Sequence, residues 1–140
     1  MTVKTWRAEF ASDLARAGKA VIVSAPYASP NLVESLLPDF AGAIARGIEV
    51  KVILRKPKSE KSLALQAGIA ATLSSAGCKV AVCDAPLTGI AVFDGKVAWY
   101  GTLPLLAFAK ADDCSLRVES AEVAADLEKA LEDSMSLGAN

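Results

Sequence analysis

Residues 88–102 read TGIAVFDGKVAWYGT, and this stretch decides how the chain folds. Two short runs rich in β-branched and aromatic residues flank Asp94-Gly95. Asp-Gly between two such runs is the strongest short-range signal for a β-hairpin. The sequence therefore predicts two antiparallel strands over residues 88–93 and 96–100.

Helices and short strands alternate upstream of this hairpin. Apolar residues recur at helical spacing after Trp6, after Pro30 and after Ser59, and β-branched runs follow each helix at 20–24, 48–54 and 78–83. A last strand over 114–119 and a helix capped by Ser120 close the chain. Such alternation favours a sheet covered on both faces. The predicted fold class is α/β, a three-layer α/β/α sandwich around a mixed, mainly parallel sheet.

The chain has the length and composition of one domain. It contains 140 residues, of which 53% are hydrophobic, so we expect a single domain over 1–140 with an ordered core of about 3–135. The apolar runs are too short for a membrane span, and the N-terminus is charged where a signal peptide would be apolar. We therefore expect a cytoplasmic protein with no membrane partner.

The sequence contains no histidine, which excludes several kinds of active site. Serine–histidine and cysteine–histidine pairs and imidazole metal ligands are all absent. Cys78, Cys83 and Cys114 lie in apolar settings without a CxxC pair, so we expect three buried, reduced thiols and no zinc site. The sequence predicts no cofactor and no metal.

Positive charge is concentrated in one segment, although the net charge of the chain is −1. Between residues 51 and 61, Glu60 is opposed by five cations. Four of them form a candidate phosphate-binding loop after the second strand: Arg55, Lys56, Lys58 and Lys61. A solvated loop with scattered charge is the alternative interpretation.

Polar and aromatic residues near the strand ends form a candidate ligand pocket. Ser24 ends the first strand, Tyr27 follows it and Thr88 begins the hairpin, so all three are expected at the carboxyl edge of the sheet, where such sheets bind ligands. Thr88 is also a candidate phosphate-binding residue. Trp99 is also a candidate pocket residue. Because Trp99 and Tyr100 alternate on one strand, one of them is expected in the core, and the other in a dimer interface or stacked on a base.

The order of elements, with Asp94-Gly95 and Gly101-Thr102, resembles the phospholipase-D-like family. The signature of that family is His-x-Lys-x-x-x-x-Asp-Gly, followed by Gly-Ser-x-Asn after the next strand. Here Leu87 stands at the histidine position, Gly89 at the lysine position and Pro104 at the asparagine position. Residues 99–106 and 112–119 are similar to the phospholipase-D-like domains at the C-termini of bacterial helicase-type ATPases and restriction-associated proteins.

This resemblance implies a degenerate active site. In the family, one histidine attacks phosphorus and a second protonates the leaving oxygen, while lysine and asparagine hold the charged oxygens. Leu87 has no nucleophilic atom and Gly89 carries no charge, so we expect no enzyme activity from this chain. Asp94 is expected to serve the turn, and Thr102 to hydrogen-bond either a phosphate or the backbone.

Three functions remain open on the sequence alone. The first is an accessory module of a helicase- or restriction-type protein that binds a DNA or RNA backbone weakly or dimerises, with a homodimer or an upstream domain as partner. The alternative is a metal-dependent phosphodiesterase or nuclease that uses magnesium or manganese with carboxylates of Asp84, Asp94, Asp112 or Asp113. The third is an oligomerisation domain without a ligand.

Overall fold

The computed structural model describes residues 2–84 and 87–138. Every predicted helix and strand is present, with bounds shifted by a few residues. The helices are α1 (Trp6–Arg16), α2 (Pro30–Ala45), α3 (Glu60–Ser75) and α4 (Ala121–Gly138). The strands are β1 (Ala20–Ala25), β2 (Glu49–Arg55), β3 (Lys79–Cys83), β4 (Gly89–Phe93), β5 (Val97–Gly101) and β6 (Ser115–Glu119).

The six strands form one mixed sheet in the order β3-β2-β1-β4-β5-β6. β1, β2 and β3 pair in parallel, whereas the pairs β1–β4, β4–β5 and β5–β6 are antiparallel. Four strands therefore run one way, and β4 and β6 run the other. Helices α1, α2 and α3 pack on one face and α4 packs on the other, which confirms the three-layer α/β/α arrangement.

Local sequence signals set the turns as predicted. Asp94 and Gly95 both have positive φ, 57° and 65°, as a two-residue type I′ hairpin turn requires. Gly47 and Gly77 end α2 and α3 at φ +89° and +101°, a conformation that glycine adopts without a Cβ penalty. The hydroxyl of Ser59 accepts the N–H of Ser62 and so caps α3.

The main core is built around Phe10 of α1. Its side chain is fully buried, and its ring meets four other aromatic rings edge to face, at centroid separations of 5.7 to 6.5 Å. These rings belong to Trp6, Phe40, Phe93 and Trp99. One side chain of α1 thus joins that helix to α2, β4 and β5, and aromatic pairs of this geometry add to the free energy of simple burial.

A buried ion pair links α1 to β6, the strand at one end of the sheet. Asp13 is 3% exposed, and its carboxylate accepts two hydrogen bonds of 2.8 Å from Arg117 of β6 and one of 2.8 Å from Nε1 of Trp99. Arg16 adds a bond of 2.9 Å. Burial by itself would raise the pKa of Asp13, but the hydrogen bonds from these three side chains outweigh it and lower the pKa below 3.8.

A few side chains lie elsewhere than the sequence pattern indicates. Leu63 and Leu65 belong to the apolar residues that follow Ser59 in α3, yet they are 38% and 53% exposed, and Val123 of α4 is 39% exposed. Cys78 and Cys83 are buried as expected, whereas Cys114 is exposed because it lies in the loop before β6. Within residues 2–84 and 87–138, none of the helices combines the length and hydropathy needed to cross a membrane.

Replacing Asp13 with Asn is expected to lower the free energy of unfolding at pH 7 by about 2–4 kcal/mol, because the mostly buried Arg117 guanidinium loses its buried counter-charge and keeps only the exposed carboxylate of Glu119. The Asp13 pKa is lower in the folded than in the unfolded state. Its contribution is therefore present above the unfolded-state pKa and is lost as the pH falls through the folded-state pKa. Urea denaturation at pH 7 and pH 3 measures both effects.

The matched control is Asp112→Asn, since Asp112 is exposed on a loop. We expect this variant to unfold like the wild type at both pH values. An Asp13→Asn variant as stable as the control at pH 7, or one whose deficit is undiminished at pH 3, would contradict the assignment.

Candidate functional site

The carboxyl ends of β1, β2 and β3 lie at one edge of the sheet, with the start of β4 and the end of β5. We call this the upper edge. The loops 26–29, 56–59 and 102–114 all leave the sheet there. Ligands of α/β proteins bind at this kind of edge, because the loops, rather than the strands, are free to carry polar groups.

The space above β4 at the upper edge is filled by the chain itself. Residues 103–107 are all buried, and we call them the apolar plug. A Cβ placed on Gly89 would overlap the carbonyl oxygen of Leu103, and one on Gly101, its partner across β4 and β5, would overlap backbone atoms of Cys114 and Ser115. The position that carries lysine in the resembled family therefore has no room for any side chain.

The apolar plug is closed by backbone hydrogen bonds. The N–H of Leu106 donates to the carbonyl of Pro104 across 2.7 Å, around Leu105 at φ +61°, which is a γ-turn of the rare and strained kind. The N–H of Ser29 donates to the carbonyl of Leu106 across 2.8 Å, so the plug also holds the β1–α2 loop. Pro104, at the asparagine position of the resembled family, is thus part of the apolar plug.

Thr102 closes the base of the same loop. Its N–H donates to the carbonyl of Cys114 across 2.8 Å, and its hydroxyl accepts the N–H of Cys114 across 3.0 Å. The hydroxyl also lies 3.3 Å from the Cys114 carbonyl. Of the two roles open to Thr102 on sequence, the structure shows the backbone one, in which the hydroxyl serves the loop.

Leu87 and Asp94, the remaining signature positions, make contacts that stabilise the fold. Leu87 is 8% exposed and packs in the second core, beneath α4. Asp94 lies at the opposite edge of the sheet, where its carboxylate accepts the N–H groups of Gly18, Lys19 and Ala20 across 2.9, 2.7 and 3.0 Å. Burial would raise the pKa of Asp94, but the three N–H groups lower it.

The carboxylates proposed for a metal site do not converge. Asp94 is at the edge opposite to Asp84 and the 102–114 loop, and Asp113 accepts the N–H of Lys110 across 2.7 Å within its own turn. In the part of the chain that the structure describes, no three Cys, Asp or Glu side chains are grouped so that they could hold a metal ion.

The upper edge carries a surface pocket of about 430 Å³ beside the plug. It lies between the β1–α2 loop, the β2–α3 loop and the first turns of α3. Three of the four cations predicted to bind phosphate line it, namely Arg55, Lys56 and Lys58, together with Tyr27. The basic loop is fixed by the N–H of Lys56, which donates to the carbonyl of Cys83 across 2.8 Å.

The other wall of the pocket is apolar and comes partly from α3. Leu65 and Ile69 lie there with Gln66, whose side-chain amide donates to the carbonyl of Arg55. Neither Leu65 nor Gln66 was identified from sequence. The sequence does contain a signal for this pocket wall. The buried face of α3, which carries Leu73 and Ile69, continues at helical spacing to the polar residues Gln66 and Ser62. The first turns of α3 therefore cannot pack on a hydrophobic core.

The remaining predicted site residues lie away from this pocket. Lys61 is exposed on α3, and Thr88 is exposed before β4. Ser24 and Trp99 are fully buried. The Ser24 hydroxyl donates to the carbonyl of Thr88 across 2.8 Å, and Trp99 bonds Asp13. These placements correct the prediction that Ser24 and Trp99 line the pocket, because both side chains point into the interior.

Comparison with known proteins shows similarity at the level of structure. No protein-family model matches the chain, and no curated protein sequence matches it. Among solved structures, NucT from Helicobacter pylori superposes with a TM-score of 0.67 at 13% identity, over 96% of this chain and 89% of that one. Polyphosphate kinase from Porphyromonas gingivalis gives 0.70 at 11% identity, over 95% of this chain and 24% of the kinase.

A third neighbour is TrmBL2, described as an archaeal chromatin protein with a novel mode of DNA binding. It superposes with a TM-score of 0.66 at 15% identity, over 94% of this chain. The chain spans only 49% of TrmBL2. Together with the mixed six-stranded sheet and its four helices, these neighbours show that the fold is phospholipase-D-like, as the sequence predicts.

Replacing Gly89 with Ala is expected to lower the free energy of unfolding by about 2–3 kcal/mol, because the added methyl group meets fixed backbone rather than a flexible side chain. Gly68→Ala is the control, since a Cβ at Gly68 of α3 has nothing within 4 Å. The control should be neutral or stabilising, by up to about 1 kcal/mol. Equal stabilities of the two variants in urea denaturation would show that the space above β4 is not filled.

Proposed function

We propose that this chain is a non-catalytic module of the phospholipase-D-like fold that binds the phosphate backbone of nucleic acid at the upper-edge pocket. The observation that carries this proposal is the convergence of Arg55, Lys56 and Lys58 on one pocket. No Asp or Glu stands among the described residues that line it. Cations held in this way suit phosphate oxygens, which they position without reading sequence.

The state of the signature positions supports the absence of catalysis. The chain contains no histidine, so neither the nucleophile nor the general acid of the family's reaction is present. The carbonyl of Leu103 fills the space of the lysine side chain, and a partner chain of the same sequence would bring the same residues. The metal-dependent alternative is not favoured, since Asp94 lies at the edge opposite to the other candidate carboxylates and, among the described residues, no three Cys, Asp or Glu side chains are grouped to hold a metal ion.

The similarity to TrmBL2 agrees with nucleic acid as the ligand, because that protein is described as binding DNA. The chain matches about half of TrmBL2 and about a quarter of the polyphosphate kinase, so the same fold occurs there within longer chains. This supports an accessory role beside a further domain. A helicase- or restriction-type protein is the context that the sequence resemblance implies.

Self-association is a second candidate function, and one observation favours it. Tyr100 of β5 and Leu116 of β6 are paired across the two strands, and they are 51% and 71% exposed. β6 is an edge strand of the sheet, with one side open to pairing. An exposed apolar pair beside an open strand edge is a suitable surface for a homodimer.

Labelled single-stranded and duplex oligonucleotides test the first proposal by fluorescence anisotropy. We expect binding at low salt that weakens steeply as salt rises, because each contacted phosphate releases counterions. The double variant Lys56→Ala/Lys58→Ala should bind more weakly and lower the magnitude of the log–log salt slope by about 1.5. With magnesium or manganese added, the oligonucleotides should remain uncleaved.

The matched control is Lys96→Ala/Lys129→Ala, which removes the same charge away from the upper-edge pocket. It should bind as the wild type does. Absence of binding at low salt, or equal losses in the two double variants, would refute backbone binding at this pocket, and cleavage of the oligonucleotides would refute the non-catalytic assignment.

Light scattering tests self-association. A homodimer through the β6 edge predicts twice the chain mass of 14.5 kDa, and Leu116→Lys should restore the monomer mass because it places a charge in the interface. A wild-type protein that is monomeric both with and without nucleic acid would exclude this candidate.

A further inference from the structure

We propose that the upper-edge pocket receives one unpaired nucleotide of a single strand, with its base against Tyr27 and Leu65 and its phosphate on Lys56 and Lys58. This inference rests on the proposed function and names its ligand class. It is carried by two features of the same pocket, its volume and the division of its lining into an apolar and a cationic part.

The volume of the pocket exceeds what a backbone contact needs. Phosphate oxygens can be bound by cations on a flat or convex surface, whereas the cavity here measures about 430 Å³. That value lies within the range of roughly 300–1,000 Å³ that is typical of pockets for small organic ligands. A group larger than a phosphate therefore fits between the loops.

The apolar part of the lining is exposed and includes an aromatic ring. Tyr27 and Leu65 are each 53% exposed, and they come from different elements, the β1–α2 loop and α3. Large apolar side chains facing solvent inside a concavity mark a binding surface more often than a structural one. A planar base can stack on the tyrosine ring, and such stacking tolerates any base because each has a π-face.

The cationic part lies on the adjoining loop. Lys56 and Lys58 are exposed at the rim, and Arg55, at the end of β2, is partly buried. Gln66 bridges the two parts, since its amide donates to the Arg55 carbonyl while its side chain lines the pocket. A nucleotide has the matching division, a planar base at one end and a charged phosphate at the other.

The base must be unpaired to enter. In a duplex each base is stacked and paired inside the helix, and extruding it costs a few kcal/mol. A pocket enclosed by two loops and a helix therefore favours single strands over duplexes. DNA and RNA present the same base and phosphate chemistry to Tyr27 and the lysines, so the test includes both.

The test compares oligonucleotides of equal length in fluorescence anisotropy: oligo(dT), oligo(U), an abasic oligodeoxynucleotide and a duplex. The abasic strand keeps every phosphate and lacks every base. We expect oligo(dT) or oligo(U) to bind about 5- to 150-fold more tightly than the abasic strand, the range that stacking of a single base supplies. The duplex should bind no more tightly than the abasic strand.

Tyrosine variants assign the preference to the pocket. Tyr27→Ala should bind oligo(dT) and the abasic strand equally, while Tyr27→Phe keeps the wild-type preference because the ring remains. Phe108→Ala is the matched control, since Phe108 is an aromatic residue that is 65% exposed in the 102–114 loop, outside the pocket. It should behave as the wild type does.

The outcomes separate this inference from the proposed function. Equal binding of the base-bearing and abasic strands would overturn base docking and leave backbone binding standing, whereas absence of binding to all four would overturn both. A preference that survives Tyr27→Ala would overturn the assignment to this pocket. Competition by thymidine monophosphate at the same concentration as oligo(dT) would overturn the assignment to a strand in favour of a free nucleotide.

Discussion

The carboxylate of Asp13 joins parts of the molecule that lie far apart in sequence, because it binds Arg117, 104 residues further along the chain, and Trp99 between them. This fixes α1 over β5 and β6. Asp94 fixes the start of β1, because its carboxylate accepts the three N–H groups that follow α1. Arg46, directly after α2, donates to carbonyls at the C-terminus of α1. These contacts fix the start of β1, and β1 in turn positions the loop at its other end, which carries Tyr27.

At the upper edge, two glycines without side chains decide how the space above β4 is filled. Glycines at 89 and 101 face each other, and without side chains they allow the 102–114 loop to lie directly on the sheet. A catalytic cleft of the family needs that volume for a lysine and a substrate. Here the apolar plug occupies it, and the accessible pocket lies one loop away, between β1, β2 and α3.

Local patterns predicted the elements, the hairpin and the basic loop, since each depends on residues that are neighbours in sequence. Contacts between distant residues had no such signal. Period-two alternation separated Trp99 from Tyr100 but did not say which of them faces the interior, and Asp13 and Arg117 gave no local sign of pairing. The exposure of Leu65 was not predicted, because apolar spacing along α3 does not show where the core ends, although the polar Ser62 and Gln66 share that end of the helix.

We propose that nucleic acid binds in the upper-edge pocket and not in the space above β4, which the apolar plug fills. Amide chemical shifts of ¹⁵N-labelled protein, recorded during a titration with oligo(dT), test it directly. We expect the largest changes in chemical shift on residues 26–28 and 55–66, and small changes on residues 88–89 and 102–106. Changes concentrated on residues 88–89 and 102–106 instead would contradict it, since they would place the ligand on the space that the apolar plug fills.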